Sequence, residues 1–158
     1  MQELETPNKE DFTDVSSAPK QGRIIAIDPG TKRIGVAISD ELQIAIKRLP
    51  IIKRASWKKL LADVKATLAE LDAKALVIGL PLNTDGTESE MSAEAREMAR
   101  KFALSLDIPV FLQDERVTTY EARGYLWKAG KEGKELAETL DSEAAAIILA
   151  DFLGSVKI

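Results

Sequence analysis

Three acidic residues stand at points where the sequence pattern changes, and their side chains could together bind a metal. Asp28 follows the apolar run Ile24–Ile27, Glu115 lies in the charged triplet after another apolar run, and Asp141 opens the segment Asp-Ser-Glu-Ala-Ala-Ala. Carboxylate oxygens are the ligands that magnesium and manganese prefer, and clusters of them hold the ions that cleave phosphodiesters. If the fold brings these acids together, we expect a site for Mg²⁺ or Mn²⁺.

The composition excludes several other kinds of catalysis. The chain of 158 residues contains no cysteine and no histidine. This excludes disulfides, thiolate metal sites, thiol nucleophiles and any nucleophile activated by a histidine base. Any catalysis must therefore use carboxylates, lysine, hydroxyl groups or a metal.

Length and hydropathy indicate one cytoplasmic domain. The chain has the size of an ordinary single domain. No stretch approaches the roughly 20 apolar residues that a membrane span needs. The N-terminus also lacks the pattern of a signal peptide, so we expect a cytoplasmic protein that does not enter a membrane.

The first 21 residues predict a disordered acidic tail. Five acids, two lysines, two prolines and a pair of serines fall within the first 20 positions. We therefore place a single domain at residues 22–158. The tail accounts for −3 of the chain's formal charge of −4 and leaves about −1 for the domain, so net charge alone does not indicate nucleic-acid binding.

Residues 42–62 contain six basic side chains and no acid, a pattern suited to contact with a phosphate backbone. The same pattern fits a solvated edge strand followed by a first helical turn, because lysines protect edge strands from aggregation. We favour the edge strand. The six residues are Lys47, Arg48, Lys53, Arg54, Lys58 and Lys59.

The pattern in the first third of the chain predicts a three-stranded antiparallel meander. The runs at 23–27 and 34–39 are apolar and β-branched, and the proline and glycine of Asp28–Lys32 mark a turn between them. A third run at 43–52 follows a polar break. Pro50 places the end of this third strand near an edge of the sheet.

The rest of the chain predicts four helices and two buried strands. Apolar residues at helical spacing give two amphipathic helices, the first with Ser56 as its N-cap. Thr118 and Glu121 form a capping-box pattern for a third helix, and continuous apolar runs predict strands buried on both faces. The expected ranges are a helix at 57–71, a strand at 75–79, a helix at 91–106, a strand at 109–113, a helix from 118 and a last helix at 141–152.

The handedness of the connections brings Asp28 and Glu115 together without reference to any motif. Right-handed crossovers through the first two helices make the strands at 75–79 and 109–113 parallel to their neighbours. The simplest order places them beside the first strand, so that all three end at one edge, where open α/β sheets bind ligands. Asp141 joins them only if the start of the last helix docks at the same edge.

Each acid also has an ordinary structural interpretation. Asp28 before Pro-Gly fits the first position of a turn, and Asp141 fits a helix N-cap. Glu115 could form a salt bridge with Arg116. A basic link between the last two helices fits either a loop that grips phosphate or, as we favour, a solvated connector. Its residues are Lys128, Gly130, Lys131, Gly133 and Lys134.

Four segments in chain order carry a close resemblance to one family. They are Ala26–Ala37, Val77–Thr87, Asp114–Thr119 and Asp141–Ala146. Together they resemble the YqgF (RuvX) family, described both as Holliday-junction resolvases and as nucleases of pre-16S ribosomal RNA. The resemblance spans residues 22 to 153. It implies an RNase H-like fold, which is a five-stranded mixed α/β sheet flanked by helices, with a metal-dependent nuclease site.

The resemblance also implies roles for individual residues. The family's acidic positions fall on Asp28, Glu115 and Asp141, with Asp114 as the alternative to Glu115. Gly79 stands where the related RuvC resolvases place an acid, so this family's site is rearranged, and we favour Glu115 as the compensating ligand. As our own hypothesis for nucleic-acid binding, we expect flanking phosphates to be neutralised by Lys32, Arg33 and Arg116, and the strand to be covered by Lys128, Lys131 and Lys134.

The mechanism we infer uses two Mg²⁺ or Mn²⁺ ions about 4 Å apart between the carboxylates. One ion would activate water and the other would stabilise the departing oxygen, so no side chain need act as a base. The substrate, a ribosomal RNA precursor or branched DNA, stays open because phosphate contacts carry no sequence information. A monomer and a homodimer are both compatible with the sequence.

Two other functions fit the residues. The turn Asp-Pro-Gly-Thr followed by Ile-Gly-Val-Ala also looks like the first phosphate-binding turn of the actin, Hsp70 and sugar-kinase ATPases. Those proteins place nucleotide between two such domains, whereas this chain has the length of one. The other alternative is a non-catalytic module for ribosome assembly or nucleic-acid binding, in which the acids serve only as caps and turns.

Overall fold

A five-stranded mixed sheet forms the centre of the fold. The computed structural model describes residues 12–115 and 133–156, the backbone alone being described over 133–141. The strands lie in the order β3-β2-β1-β4-β5; β1 pairs with β2 and β2 with β3 antiparallel, whereas β4 is parallel to β1 and β5. The predicted meander with two parallel strands beside it is confirmed. The strands are β1 Arg23–Pro29, β2 Arg33–Ser39, β3 Ile46–Lys53, β4 Ala73–Leu80 and β5 Val110–Asp114.

Three helices cover the sheet within the described residues: α1 Trp57–Glu70, α2 Glu90–Ser105 and α3 Gly133–Val156. The hydroxyl of Ser56 accepts the Lys59 N–H and caps α1, as predicted. A reciprocal capping box of two serines begins α2. In the ranges that the structure describes, no helix is long and apolar enough to cross a lipid bilayer.

The pleat of the sheet divides its apolar residues between two cores. Ile25 and Ile27 of β1 pack with α1 and α2, whereas Ile24 and Ala26 pack with α3. Successive side chains of a strand point to opposite faces, so each central strand serves both cores. This explains why the sequences of β1 and β4 are continuous apolar runs.

The last helix begins earlier than the sequence predicted. We expected a connector followed by a helix from Asp141, but α3 begins at Gly133 and places Asp141 in its third turn. The interpretation of Asp141 as an N-cap is therefore wrong. Most residues at 135–140 are strong helix formers, which extend the helix toward its N-terminus. Lys134 belongs to the helix, whereas Thr118, Glu121, Lys128, Gly130 and Lys131 lie outside the described residues.

Residues 12–21, predicted as part of the tail, pack on the domain. The Leu112 N–H of β5 donates to the Phe12 carbonyl at 2.8 Å. Phe12 packs against the core beneath α1 and α2, while Val15 and Ala18 pack in the α3 core. The segment thus crosses the free edge of β5, because its apolar side chains reach both cores. Residues 1–11 lie outside the described residues.

Basic residues in and just after β3, the opposite edge of the sheet, and in the first turn of α1 form ion pairs. Arg48 pairs with Glu143 of α3 at 2.7 Å and Arg54 pairs with Glu94 of α2 at 2.8 Å. Lys59 pairs with an aspartate one turn further along α1 at 2.8 Å. Three of the six basic residues at 42–62 therefore join structural pairs, which supports the interpretation of this stretch as an edge strand and a helix start.

Truncating Phe12 tests whether the N-terminal segment stabilises the domain. We expect Phe12→Ala to lower the free energy of unfolding by about 1–3 kcal/mol, less than the 3–5 kcal/mol of a fully buried phenylalanine, because Phe12 is half-buried. Urea denaturation measures the change. Leu104→Ala is the matched control, because this apolar side chain is 75% exposed and should cost almost nothing. Equal midpoints for the two variants would show that the segment does not stabilise the domain.

Candidate active site

The pleat places Asp28 and Gly79 on the face of the sheet that α3 covers. Ala26 packs against α3, so Asp28, two positions further along β1, lies on the same face. The same step from Val77 places Gly79 on that face in β4. In the antiparallel pairing of β1 with β2, Asp28 lies opposite Gly35. Asp28 is thus flanked by positions without side chains, which leaves room at this end of the sheet.

Glu115 turns onto the same face. Its backbone N–H donates to the Leu80 carbonyl at 3.1 Å and continues the pairing of β5 with β4 by one residue. Its side chain folds back over Gly79, where an added Cβ would lie 2.7 Å from Glu115 Oε2. A side-chain hydrogen bond joins Glu115 to Asp28, and Glu115 is only 7% exposed. The two carboxyl groups meet at the carboxyl ends of three strands.

Burial raises the pKa of Glu115 to about 9. Loss of hydration is the largest cause, followed by the charge of Asp28, the hydrogen bond with Asp28 and the charge of Asp114. A hydrogen bond between two carboxyl groups requires a proton, so at neutral pH the pair shares one proton and one negative charge. A divalent cation could take the place of this proton and compensate both charges. The donor set therefore fits Mg²⁺ or Mn²⁺.

Asp114, the alternative to Glu115, lies on the other face. It is in register with Leu80, and parallel partners in register share a face. Leu80 belongs to the core beneath α1 and α2. Of the two adjacent acids, Glu115 is thus the one on the face of Asp28.

The backbone of Asp141 lies near the same end of the sheet. The hydroxyl of the next residue, Ser142, donates to the Leu49 carbonyl of β3 at 2.8 Å. Leu49 pairs with Val36 of β2, and Val36 pairs with Ile27, the residue that precedes Asp28 in β1. The helix α3 thus crosses the sheet close to the level of the carboxylate pair, although it begins earlier than expected.

The third acid of the predicted trio stays a prediction. The side chain of Asp141 is not among those that the structure describes. Within the described side chains, no group of three acids could hold a metal. The structure therefore brings together Asp28 and Glu115 and places the backbone of Asp141 nearby.

Arg54 fixes the turn that follows Asp28. Its guanidinium donates to the Gly30 carbonyl at 2.9 Å and pairs with Glu94 of α2. Within the turn, the Gly30 N–H donates to the Arg33 carbonyl at 3.0 Å, and an added Cβ on Gly30 would lie 2.6 Å from that oxygen. This role of Arg54 could not be predicted from the sequence, because nothing in the local sequence distinguishes Arg54 from its basic neighbours.

Two of the predicted nucleic-acid contacts lie within the described side chains. Lys32 is exposed on the turn after β1, and the half-buried Arg33 begins β2. Both positions follow Asp28 closely in the chain, at the end of the sheet where β1 turns into β2. Arg116, Lys128 and Lys131 lie outside the described residues, and of Lys134 only the backbone is described, in the first turn of α3.

The loop from β4 to α2 borders the same edge and is held by its own side chains. Asn83 donates to the Thr87 hydroxyl at 2.9 Å and to the Glu88 carbonyl at 3.0 Å. Asp85 accepts the Thr87 N–H at 3.0 Å. These contacts are the ordinary turn chemistry expected of Asn, Asp and Gly.

Comparisons with known sequences agree on one family. The sequence model of the family described as "RuvX: Holliday junction resolvase" matches residues 22–155. A protein of Anaeromyxobacter sp. (strain Fw109-5) named "Putative pre-16S rRNA nuclease" is 37% identical over 131 residues, which are 83% of this chain and 96% of that protein. A protein of the same name from Rickettsia bellii (strain OSU 85-389) is 37% identical over 134 residues, covering 85% of this chain and 87% of its own length.

Solved structures of resolvases share the fold. RuvC of Thermus thermophilus in complex with a Holliday junction substrate gives a TM-score of 0.54 at 15% identity and covers 85% of this chain and 97% of its own. The fowlpox virus resolvase with Holliday junction DNA gives 0.53 at 14% identity, with coverages of 85% and 98%. These likenesses confirm the RNase H-like fold. The match of the family model over residues 22–155 and the relatives at 37% identity show that the chain belongs to the RuvX family, described as Holliday junction resolvases.

Proposed function

We propose that this chain is a divalent-metal-dependent nuclease that hydrolyses phosphodiester bonds in structured nucleic acid. Its first candidate substrate is the 5′ end of a pre-16S ribosomal RNA, in ribosome biogenesis, and its second is branched DNA. Family membership supports the nuclease activity, and the names of the relatives supply the two substrates. The observation that carries the metal dependence is the carboxyl pair in which the buried Glu115 is hydrogen-bonded to the half-buried Asp28.

The residues of the pair supply hard oxygen ligands on one face of the sheet. We assign the cation to Asp28, Glu115 and Asp141, the last on the grounds of its backbone position in α3. When bound, Mg²⁺ or Mn²⁺ supplies an activated water and charge compensation for the departing oxygen. Glu115 would have to give up its proton to solvent in order to hold a cation, because a carboxylate binds a metal in its deprotonated form.

The turn after β1 would bind the substrate backbone. Lys32 is exposed and Arg33 half-buried beside the carboxylate edge, where positive charge can compensate the phosphates that flank the scissile bond. Arg54 holds this turn through the Gly30 carbonyl, two residues after Asp28 and two before Lys32. A cytoplasmic location, like the contacts assigned to Arg116, Lys128, Lys131 and Lys134, stays a prediction.

A role for the acids as caps and turns alone does not account for the pair. Carboxyl groups that serve as turn residues or helix caps accept hydrogen bonds from backbone N–H groups and stay near water. Glu115 is instead buried beside Asp28, an arrangement that costs free energy unless a proton or a cation compensates it. This cost is understandable if the pair serves to bind a cation.

Parallel cleavage assays test the activity and separate the substrates. The protein is incubated with a pre-16S RNA fragment and with a four-way DNA junction, each with Mn²⁺ and with EDTA, and its solution mass is measured. We expect cleavage only with metal. Junction resolution normally needs two symmetric sites, so a monomer that cuts only the RNA would favour RNA processing. Cleavage of neither substrate, with no effect of Mn²⁺ on the melting temperature, would favour a non-catalytic binding module.

Asp28→Asn tests whether the pair performs the cleavage. We expect a cleavage rate below a hundredth of wild type, since loss of an outer-shell partner of a metal ligand alone costs about 10- to 100-fold. Asp72→Asn is the matched control, because this exposed aspartate lies at the opposite end of the sheet. An Asp28→Asn protein that keeps its melting temperature and cuts as fast as Asp72→Asn would refute the assignment.

Glu115→Gln tests the protonated state of the pair in the metal-free protein. Glu115 ionises near 4.5 in the unfolded chain and near 9 in the fold, so between these values the fold holds a proton that the unfolded chain has lost. The stability that this group contributes is therefore fully present below the lower value and decreases as the pH rises, by up to about 1.4 kcal/mol per pH unit. Glu115→Gln removes this decrease.

Urea denaturation in EDTA from about pH 5 to pH 8 measures the difference. We expect the variant to gain stability relative to wild type as the pH rises, and to lose the Mn²⁺-dependent increase in melting temperature. The exposed Glu70 provides a control, Glu70→Gln, that should follow the wild-type profile. Parallel pH profiles for Glu115→Gln and wild type would show that Glu115 is ionised in the fold.

A further inference from the structure

The Cα of Gly79 lies directly beneath the Glu115 carboxyl. An added Cβ on Gly79 would lie 2.7 Å from Glu115 Oε2 and 3.0 Å from its Cδ, whereas ordinary contacts are 3.4–4 Å. It would also lie 2.6 Å from Cδ1 of Ile148, which is fully buried in α3. The space above Gly79 is therefore filled by one carboxyl oxygen and one methyl group.

The backbone conformation at position 79 does not require a glycine. Positive φ among the described glycines occurs at Gly22 and Gly86, so Gly79 has a conformation that other residues adopt. It lies within β4 and pairs with Gln113 of β5. Glycine inside a strand lowers stability, so its presence there usually marks the close approach of another group. Here that group is the side chain of Glu115.

We propose that Gly79 is a positioning residue, which holds the Glu115 carboxyl beside Asp28 by leaving its place free of a side chain. A side chain at position 79 and the Glu115 carboxyl compete for one volume. The site can take its second acid from the end of β5 only while β4 is bare at this point. The consequence for the cation rests on the proposed function, whereas the steric competition is a property of the metal-free protein.

The second obstacle, Ile148, can be removed separately. Ile148→Val deletes Cδ1, the atom nearest to the added Cβ, and leaves the Glu115 carboxyl as the remaining close contact. In this background, Gly79→Ala acts mainly on Glu115. Ile148→Val alone is the matched reference. Removing Cδ1 also prevents a clash between the Cβ added at position 79 and Ile148 from unfolding the combined variant, a clash that has nothing to do with Glu115.

A double-mutant cycle in EDTA tests the steric competition. In the Ile148→Val background, urea unfolding is compared for Gly79→Ala, Glu115→Ala and the two together. We expect Gly79→Ala to lower the unfolding midpoint while Glu115 is present, and to leave it unchanged or raise it once Glu115→Ala has removed the carboxyl. An equal loss in both backgrounds would overturn the proposal, because the obstruction would then not be Glu115.

Titration calorimetry with Mn²⁺ tests the consequence for the site. We expect Gly79→Ala with Ile148→Val to raise the Mn²⁺ dissociation constant by about tenfold or more over Ile148→Val alone, the effect typical of losing the support of a metal ligand. Unchanged affinity would overturn the positioning role. If the EDTA cycle shows the coupling but the wild type does not bind Mn²⁺, the positioning role stands and the proposed metal dependence fails.

Discussion

A buried carboxyl group in contact with a second, half-buried one costs free energy that the rest of the structure must compensate. Asp28 and Glu115 share a hydrogen bond, and burial makes the loss of hydration larger than the repulsion between them. Two negative charges at this distance in a water-poor site are unfavourable, so the pair needs a proton or a cation. In the metal-free fold a shared proton lowers this cost, and the cation proposed above would lower it in the same way at the expense of that proton.

The backbone, more than any side chain, brings the pair together. Parallel crossovers end β1, β4 and β5 at one edge, and the pleat then decides which residues face α3. Asp28 lies two residues after Ala26, and Gly79 lies two residues after Val77, so both lie on the face that α3 covers. An acid is thereby placed next to a glycine, which has no side chain. Glu115 reaches over that position from the neighbouring strand. Because three strands contribute, a shift of register in any of them would separate the carboxyl groups.

The convergence of Asp28 and Glu115 could be predicted from the sequence because it depends on rules that hold for most chains, namely the handedness of crossovers and the ends of apolar runs. What could not be predicted depends on contacts distant in sequence. Phe12 anchors a segment whose composition is that of a tail, since a few apolar residues are enough when both cores are within reach. The start of α3 was missed because glycines and lysines at 128–134 resemble a loop locally. The contact of Arg54 with the Gly30 carbonyl could not be predicted, because Arg54 is one of six similar basic residues at 42–62.

The distribution of positive charge follows from the same arrangement. The formal net charge of the domain, residues 22–158, is about −1. Three of its basic residues, Arg48, Arg54 and Lys59, form ion pairs that hold helices to the sheet or stabilise α1. Long-range attraction to a phosphate backbone would therefore be weak, and the nucleic-acid binding proposed above would depend on local charge, such as that of the exposed Lys32 on the turn after β1. Arg54 donates to the Gly30 carbonyl, and the turn continues directly from β1. The same strand and turn therefore position Lys32 and Asp28, the residues proposed to contact phosphate and the cation.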